Sequence, residues 1–188
     1  MAAPPCGSML HGPKSEKGQR EWVARAGVVM AKRTKPTVYL FKVALQGAKR
    51  IWRRIAVRSD QTLDAFHEAV FKAFDRYDEH LYSFYFPQPG SRGREVLRDA
   101  VEYTHPYNAE QDDLFGDRPL HNAAKTRLSA LHLEPGQTFL YLFDFGDSWW
   151  HEVKVERTDA PVEAGSYPRI VDRRGDSPPQ YPEDDEDE

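Results

Sequence analysis

The sequence predicts an α+β fold, mainly an antiparallel twisted sheet of hairpins with helices packed on one face. Three observations predict it. Several aromatic-rich stretches of strand length are punctuated by turn residues, one long segment carries helical rather than alternating spacing, and strands and helices do not alternate regularly as a doubly wound fold would need. The chain has 188 residues, with 39% hydrophobic and 12% aromatic side chains, enough for one cored domain.

The elements follow in order. Val38, Leu40, Lys42 and Ala44 alternate with Tyr39, Phe41, Val43 and Leu45, which makes Thr37–Leu45 a strand that is apolar on nearly both faces. Gln46–Lys49 reads as a turn and Ile51–Val57 as the antiparallel partner. Ser59, Asp60 or Thr62 caps a helix of about fourteen residues whose Leu63, Phe66, Val70, Phe71 and Phe74 form one stripe. Leu81–Phe86 is a third strand, stopped by Pro87 and Pro89-Gly90. Ser91–Ala124 is polar and irregular, with a short strand near Val101–Thr104. Thr126 caps a short helix carrying Leu128, Leu131 and Leu133.

Two facing strands, Thr138–Asp144 and Trp149–Glu156, close the domain around Gly146-Asp147. A two-residue type II′ turn there places Asp144 opposite Trp149, Phe143 opposite Trp150 and Leu142 opposite His151. Leu140, Leu142 and Asp144 then share the core face with Trp149, His151, Val153 and Val155. Phe139, Tyr141, Phe143 and Trp150 take the other face. On this register Asp144 and His151 are diagonal neighbours on an apolar face, where each needs a partner. Two readings stand: an acid–base or metal-binding pair, or a structural bond that locks the turn, with Asp147 left as an exposed carboxylate. The second is preferred. The candidate functional or locking residues are Asp144, Gly146, Asp147, Trp149 and His151, and Tyr141, Phe143 and Trp150 form a candidate patch for a protein partner or a second copy.

The ends differ in composition. Residues 1–36 carry seven Lys/Arg against two Glu, hold no sustained periodicity, and read as a flexible basic leader, with Met30 a plausible alternative start. Residues 37–160 are the folded domain. Residues 161–188 read as a mostly disordered Pro-rich tail ending in six consecutive acids, Glu183–Glu188. One cysteine, Cys6, implies neither disulfides nor a Cys-based metal site, and no apolar run reaches membrane-spanning length. A cytoplasmic location is expected.

The hairpin motif Tyr141-Leu-Phe-Asp-Phe-Gly-Asp-Ser-Trp-Trp-His-Glu-Val153 resembles the signature of the plasmid pRiA ORF-3-like family, close to Tyr-x-Tyr-Asp-Phe-Gly-Asp-x-Trp-x-His. Ile51-Trp-Arg-Arg54, Leu63–His67, and His80-Leu81 with Phe84 agree with it. The resemblance spans roughly Thr37–Pro182. It implies a domain of unknown activity, sometimes labelled a resolvase-like passenger of mobile elements. The segment Ser177-Pro-Pro-Gln-Tyr-Pro-Glu-Asp184 lacks the Cys and paired Gly of many members, so a metal or ligand role there is not carried over.

The chemistry is thin. Asp144-Phe-Gly without a Gly-rich loop, a strand lysine and a His-Arg-Asp loop is no kinase. A serine resolvase needs a nucleophilic Ser among activating arginines, whereas Arg53 and Arg54 point to opposite faces of one strand with no Ser beside them. A metal hydrolase would draw on His67, His80, Asp144, Asp147 and His151, but His67 reads as a surface or capping residue and His80 as packing beside the third strand. A nucleic-acid platform would use Tyr39, Phe41, Trp52, Tyr82, Phe84 and Tyr141 with Arg50, Arg53 and Arg54. The preferred reading is a non-enzymatic binding or interaction domain with no cofactor and an unidentified partner. Its alternative is a nucleic-acid-associated accessory factor.

Overall fold

The computed structural model describes residues 35–111 and 119–181. The leader, Cys6, Met30 and the acidic tail lie outside the described residues. In chain order the elements are β1 (Val38–Leu45), β2 (Trp52–Arg58), α1 (Leu63–Ala73), β3 (Tyr82–Phe86), α2 (Glu95–Arg98), β4 (Val101–Thr104), α3 (Pro106–Gln111), β5 (Leu120–Asn122), β6 (Thr138–Phe143), β7 (Trp149–Ala160) and β8 (Arg169–Arg174). The strands form one sheet in the order β5-β4-β3-β6-β7-β1-β2-β8, antiparallel throughout except for the β4–β5 pair. The α+β expectation holds.

Pairing decides which residues meet. Phe41 faces Ile55 on one side and Val155 on the other, and Val43 likewise faces Arg53 and Val153. Tyr82 faces Phe143, and Phe84 faces Tyr141. Because successive side chains alternate faces, these pairs put Phe41, Val43, Ile55, Val57, Tyr82, Phe84, Phe139, Tyr141, Phe143, Val153 and Val155 on one buried surface. Across it lies α1. Thr62 caps this helix by accepting the Ala65 N–H at 3.2 Å, and Leu63, Phe66, His67, Val70 and Ala73 are its buried residues. Phe66 stacks between Phe41 and Phe84, with centroids at 4.5 and 5.7 Å. The helix ends at Ala73, shorter than its stripe suggests, because Asp75 turns left-handed (φ 55°) while Arg76 N–H reaches back to Phe71 O. Two 3₁₀ turns, Ala123–Lys125 and Leu128–Leu131, add Ala123 and Leu128 to the core. The cap of the first is Asn122, which accepts from Ala124 and Lys125 N–H, and Thr126 instead donates to Asn122 O.

Two expectations are corrected. The β6–β7 register is shifted by one residue: Phe143 pairs with Trp149, Leu142 with Trp150 and Tyr141 with His151. A five-residue loop, Asp144–Ser148, replaces the two-residue turn, and a one-residue change moves every side chain of one strand to the other face. Tyr141 and Phe143 are therefore buried core residues while Trp150 lies on the opposite face, so these three do not make one patch. The second correction concerns residues 161–181. Their Pro- and Asp-rich composition reads as tail, but β8 pairs with β2 as a charged edge strand, and Ser177–Tyr181 packs on the C-terminal turn of α1.

The register has a direct check. Phe143→Ala should lower unfolding free energy by about 3–5 kcal/mol in urea titration, and Trp150→Ala by clearly less. The reverse order would restore the two-residue turn.

Candidate functional site

The loop between β6 and β7 is organised by one carboxylate. Asp144 Oδ1 accepts the Gly146 N–H at 2.9 Å and the Asp147 N–H at 3.4 Å, and Ser148 N–H closes on Asp144 O at 2.7 Å. The left-handed residues are Asp144 (φ 55°) and Ser148 (φ 57°) rather than Gly146. Asp tolerates that conformation because its side chain bonds the backbone two residues on. Gly146 serves closeness instead: a Cβ there would stand 3.3 Å from Asp144 Oδ1. Asp144 N–H donates to Leu81 O, which ties the loop to the start of β3 and leaves the side chain buried.

The imidazole beside Asp144 is His80, not His151. His80 Nε2 lies 3.5 Å from Asp144 Oδ2, 3.7 Å from Asp78 Oδ2 and 2.9 Å from Tyr181 Oη. Tyr181 donates its hydroxyl proton to Asp78 Oδ2 at 2.8 Å, so its oxygen accepts and His80 Nε2 carries the hydrogen. That bond pushes the Tyr181 phenol up to about 12, because ionising it would place a second negative charge against Asp78. Asp78, His80 and Tyr181 thus form a hydrogen-bonded cluster at the hairpin end of the sheet, with the Asp144 carboxylate 3.5 Å from His80 Nε2. Asp147 is exposed beside it.

His151 sits in the core beneath the cluster. It is 1% exposed, donates Nδ1–H to Trp149 O at 3.0 Å and meets Phe74 edge-on at 4.6 Å. Trp149 carries the Arg76 guanidinium over its ring at 3.8 Å. His67 is also buried, bonded through Nδ1 to Tyr141 Oη at 2.8 Å and stacked on Tyr82 at 3.7 Å. Its surface reading is corrected. The signal was present in the spacing, because Leu63, His67 and Val70 recur at helical intervals. Burial pulls both imidazoles down to about 3, so both are neutral at physiological pH.

The arrangement holds protons and orients side chains. Among the described residues no group of three or more His, Cys, Asp or Glu is arranged to hold a metal ion. The proposed nucleic-acid platform is taken apart: Tyr39, Phe41, Tyr82, Phe84 and Tyr141 are buried. Arg53 is 1% exposed and donates Nε–H to Ala73 O at 2.6 Å, and Arg54 on the opposite face is held by Glu156 and Asp172. Asp78, Tyr181 and Arg76 are participants that sequence reasoning missed. Their contacts with Pro178 and with each other across about a hundred residues of chain are ones no local pattern carries.

The model of the plasmid pRiA4b ORF-3-like protein family matches residues 37–184. The chain belongs to this family. The match takes in β8 and the Ser177–Tyr181 segment, beyond the domain end at residue 160 expected from composition. The chain is 31% identical over 145 residues to the uncharacterized protein y4hQ of Sinorhizobium fredii (strain NBRC 101917 / NGR234), covering 77% of this chain and 66% of that relative's length. It is similar in structure to a protein of unknown function, MM3350 from Methanosarcina mazei Go1, with a TM-score of 0.60, 27% identity, and coverage of 78% of this chain and 74% of the other. No helix among the described residues is long and apolar enough to cross a membrane.

Two outcomes are expected. Asp144→Ala should cost about 1 kcal/mol or more by losing the loop acceptor, while Asp144→Asn, which keeps an acceptor oxygen, should stay near wild type in thermal melts. Acid should also unfold the domain early. The folded-state values of His67 and His151 lie near 3, below the unfolded value of about 6.5, so the unfolded chain binds more protons between them. Stability is complete above that window and falls as pH drops through it, by roughly 2 kcal/mol per histidine at pH 5. His67→Gln should flatten the profile measured by urea titration from pH 7.5 to 4.5.

Proposed function

We propose that this member of the plasmid pRiA4b ORF-3-like family is a non-enzymatic interaction domain, and that the hairpin end of its sheet takes a cationic segment of a protein partner or of a second copy. One observation carries this reading. Rings and carboxylates line up there as a strip: Tyr77 (70% exposed) meets half-buried Tyr181 edge-on at 5.9 Å, Tyr181 contacts exposed Asp78 and His80, His80 faces the buried Asp144, and Phe145 (41% exposed) and the exposed Asp147 follow in the loop. Aromatic faces beside carboxylates suit lysine and arginine side chains, by cation–π contact and charge-assisted hydrogen bonding. Two histidines of this end of the sheet, His67 and His151, are neutral, buried and used in packing, and His80 is held by Tyr181.

The nucleic-acid alternative has less support, because the strip is acidic and Arg53 and Arg54 are engaged within the domain.

A fluorescent peptide of alternating Arg and Ala, titrated into the full chain at low salt, tests the strip. Saturable binding is expected, weakening with salt and at least about tenfold with Phe145→Ala/Asp147→Asn at unchanged melting temperature. Equal affinity for that variant removes the reading. Sizing chromatography of the wild type and the variant distinguishes a second copy from a foreign partner.

A further inference from the structure

A second feature lies under the strip and involves different atoms. Arg76 follows the C-terminal turn of α1 and runs beneath Ser177–Tyr181 with only 6% exposure. Its Nη1 donates to Pro178 O at 2.9 Å. Its Nε and Nη2 are buried without a hydrogen-bond partner among the described residues, as are Trp149 Nε1 and His151 Nε2. The guanidinium lies 3.8 Å from the Trp149 ring centroid, and the His151 imidazole bonds the backbone carbonyl of Trp149. A desolvated guanidinium edge with no acceptor is costly, and native proteins rarely keep one without a use.

Other arginines of this chain show what that edge takes. Arg54 uses Nε and Nη2 to hold the two carboxylate oxygens of Glu156 at 2.6 and 3.2 Å. Arg58 holds Asp60 in the same way at 2.9 and 2.6 Å, and Arg98 holds Asp99 at 2.8 and 2.9 Å. The other buried arginine, Arg53, gives Nε and Nη1 to four backbone carbonyls. Arg76 alone among these keeps the fork desolvated and open, and no ion pair within 4 Å joins it to a carboxylate among the described residues.

We propose that the Nε/Nη2 edge of Arg76 is a binding site for an oxyanion, a carboxylate or phosphate group of a small ligand, entered when the Ser177–Tyr181 strap lifts. The guanidinium supplies the two parallel donors that such groups accept. Trp149, whose ring the guanidinium covers, carries a further buried donor without a partner among the described residues, Nε1–H. His151 keeps its proton on Nδ1 for Trp149 O, so its Nε2 is an acceptor. The strap is tied by groups that can be exchanged for water: Ser177 Oγ to Phe74 O at 2.8 Å, and the Gln180 amide to Tyr77 N–H, Asp78 N–H and Asp78 O at 2.9–3.0 Å.

The test uses the full chain, calorimetry and thermal shift, with inorganic phosphate and with acetate against sodium chloride at matched ionic strength. Phosphate, acetate or both should raise the melting temperature saturably where chloride does not, and the stronger of the two identifies the group. Arg76→Met should abolish the response and stay folded without anion, since an apolar side chain of similar length replaces a buried cation whose Nε and Nη2 lack acceptors among the described residues. Trp149→Phe should weaken binding about tenfold. Should Arg76→Met fail to fold, Arg76→Lys, which keeps the charge and loses the fork, should bind at least about tenfold more weakly. No saturable response in the wild type, or an undiminished one in the folded Arg76 variant, overturns the proposal. Phe145→Ala/Asp147→Asn should leave the anion response intact, which separates this site from the surface strip.

Discussion

Asp144 fixes the length of the loop, and the length of the loop fixes the sheet. Its carboxylate draws the Gly146 and Asp147 N–H groups inward, so the chain needs five residues to pass from Phe143 to Trp149. With that length, odd-numbered residues of β6 and β7 face α1: Phe139, Tyr141 and Phe143 from one strand, His151, Val153 and Val155 from the other. A turn of two residues would have sent the three aromatic rings outward and put Leu140 and Leu142 inside. β7 presents His151, Val153 and Val155 inward in either case, and its own pairing with β1 sets Phe41 against Val155 and Val43 against Val153. A local hydrogen bond at one end of the sheet thereby selects the side chains that fill the layer under α1.

Filling that layer with Tyr and His rather than Phe and Leu places polar atoms where water does not reach. Most of them find partners inside the domain. His67 bonds Tyr141, Tyr82 bonds Asp64, and Arg53 spreads its protons over carbonyls at the end of α1 and the end of β8. The Arg53 charge lies at the negative end of the helix dipole, which favours a cation. Neutral imidazoles carry no desolvated charge, and their downward shifts come first from burial, reinforced by His105 and Lys72 near His67 and by Arg76 near His151. Arg76 departs from this economy, because it cannot become neutral and only one of its nitrogens has a partner.

Elements whose signals are local were legible in the sequence. Alternation gave β1, β2 and β3, the Leu63–Phe74 stripe with Thr62 before it gave α1, and Val101–Thr104 emerged from a polar stretch as β4. The register of β6 and β7 was not legible, because Gly-Asp between two aromatic strands fits a tight turn and an Asx-closed loop equally well. β8 was missed for another reason. Arg-Ile-Val-Asp-Arg-Arg is poorly patterned, and it becomes a strand by pairing with β2 across more than a hundred residues of chain. The hairpin motif was read as a special place, and Asp144 does organise the loop there. Its supposed partner His151 proved to be a core residue, while His80, assigned to packing, took that position.

The segment after β8 joins these separate facts. Gln180 is 1% exposed and binds both N–H groups that follow the helix turn, at Tyr77 and Asp78, so it fixes the backbone that presents Asp78 and His80. Tyr181 adds its hydroxyl to the same two side chains. Pro178, two residues before Gln180, covers Arg76. One short strap therefore builds the acidic surface on its outer side and closes the buried cation on its inner side. Were the proposed inner site to take an anion, lifting the strap would release Asp78 and His80 from Tyr181, and occupancy of that site and the shape of the outer surface would be coupled by geometry. The coupling must be reciprocal: a cationic partner that holds the strap down disfavours the anion as strongly as the anion disfavours the partner.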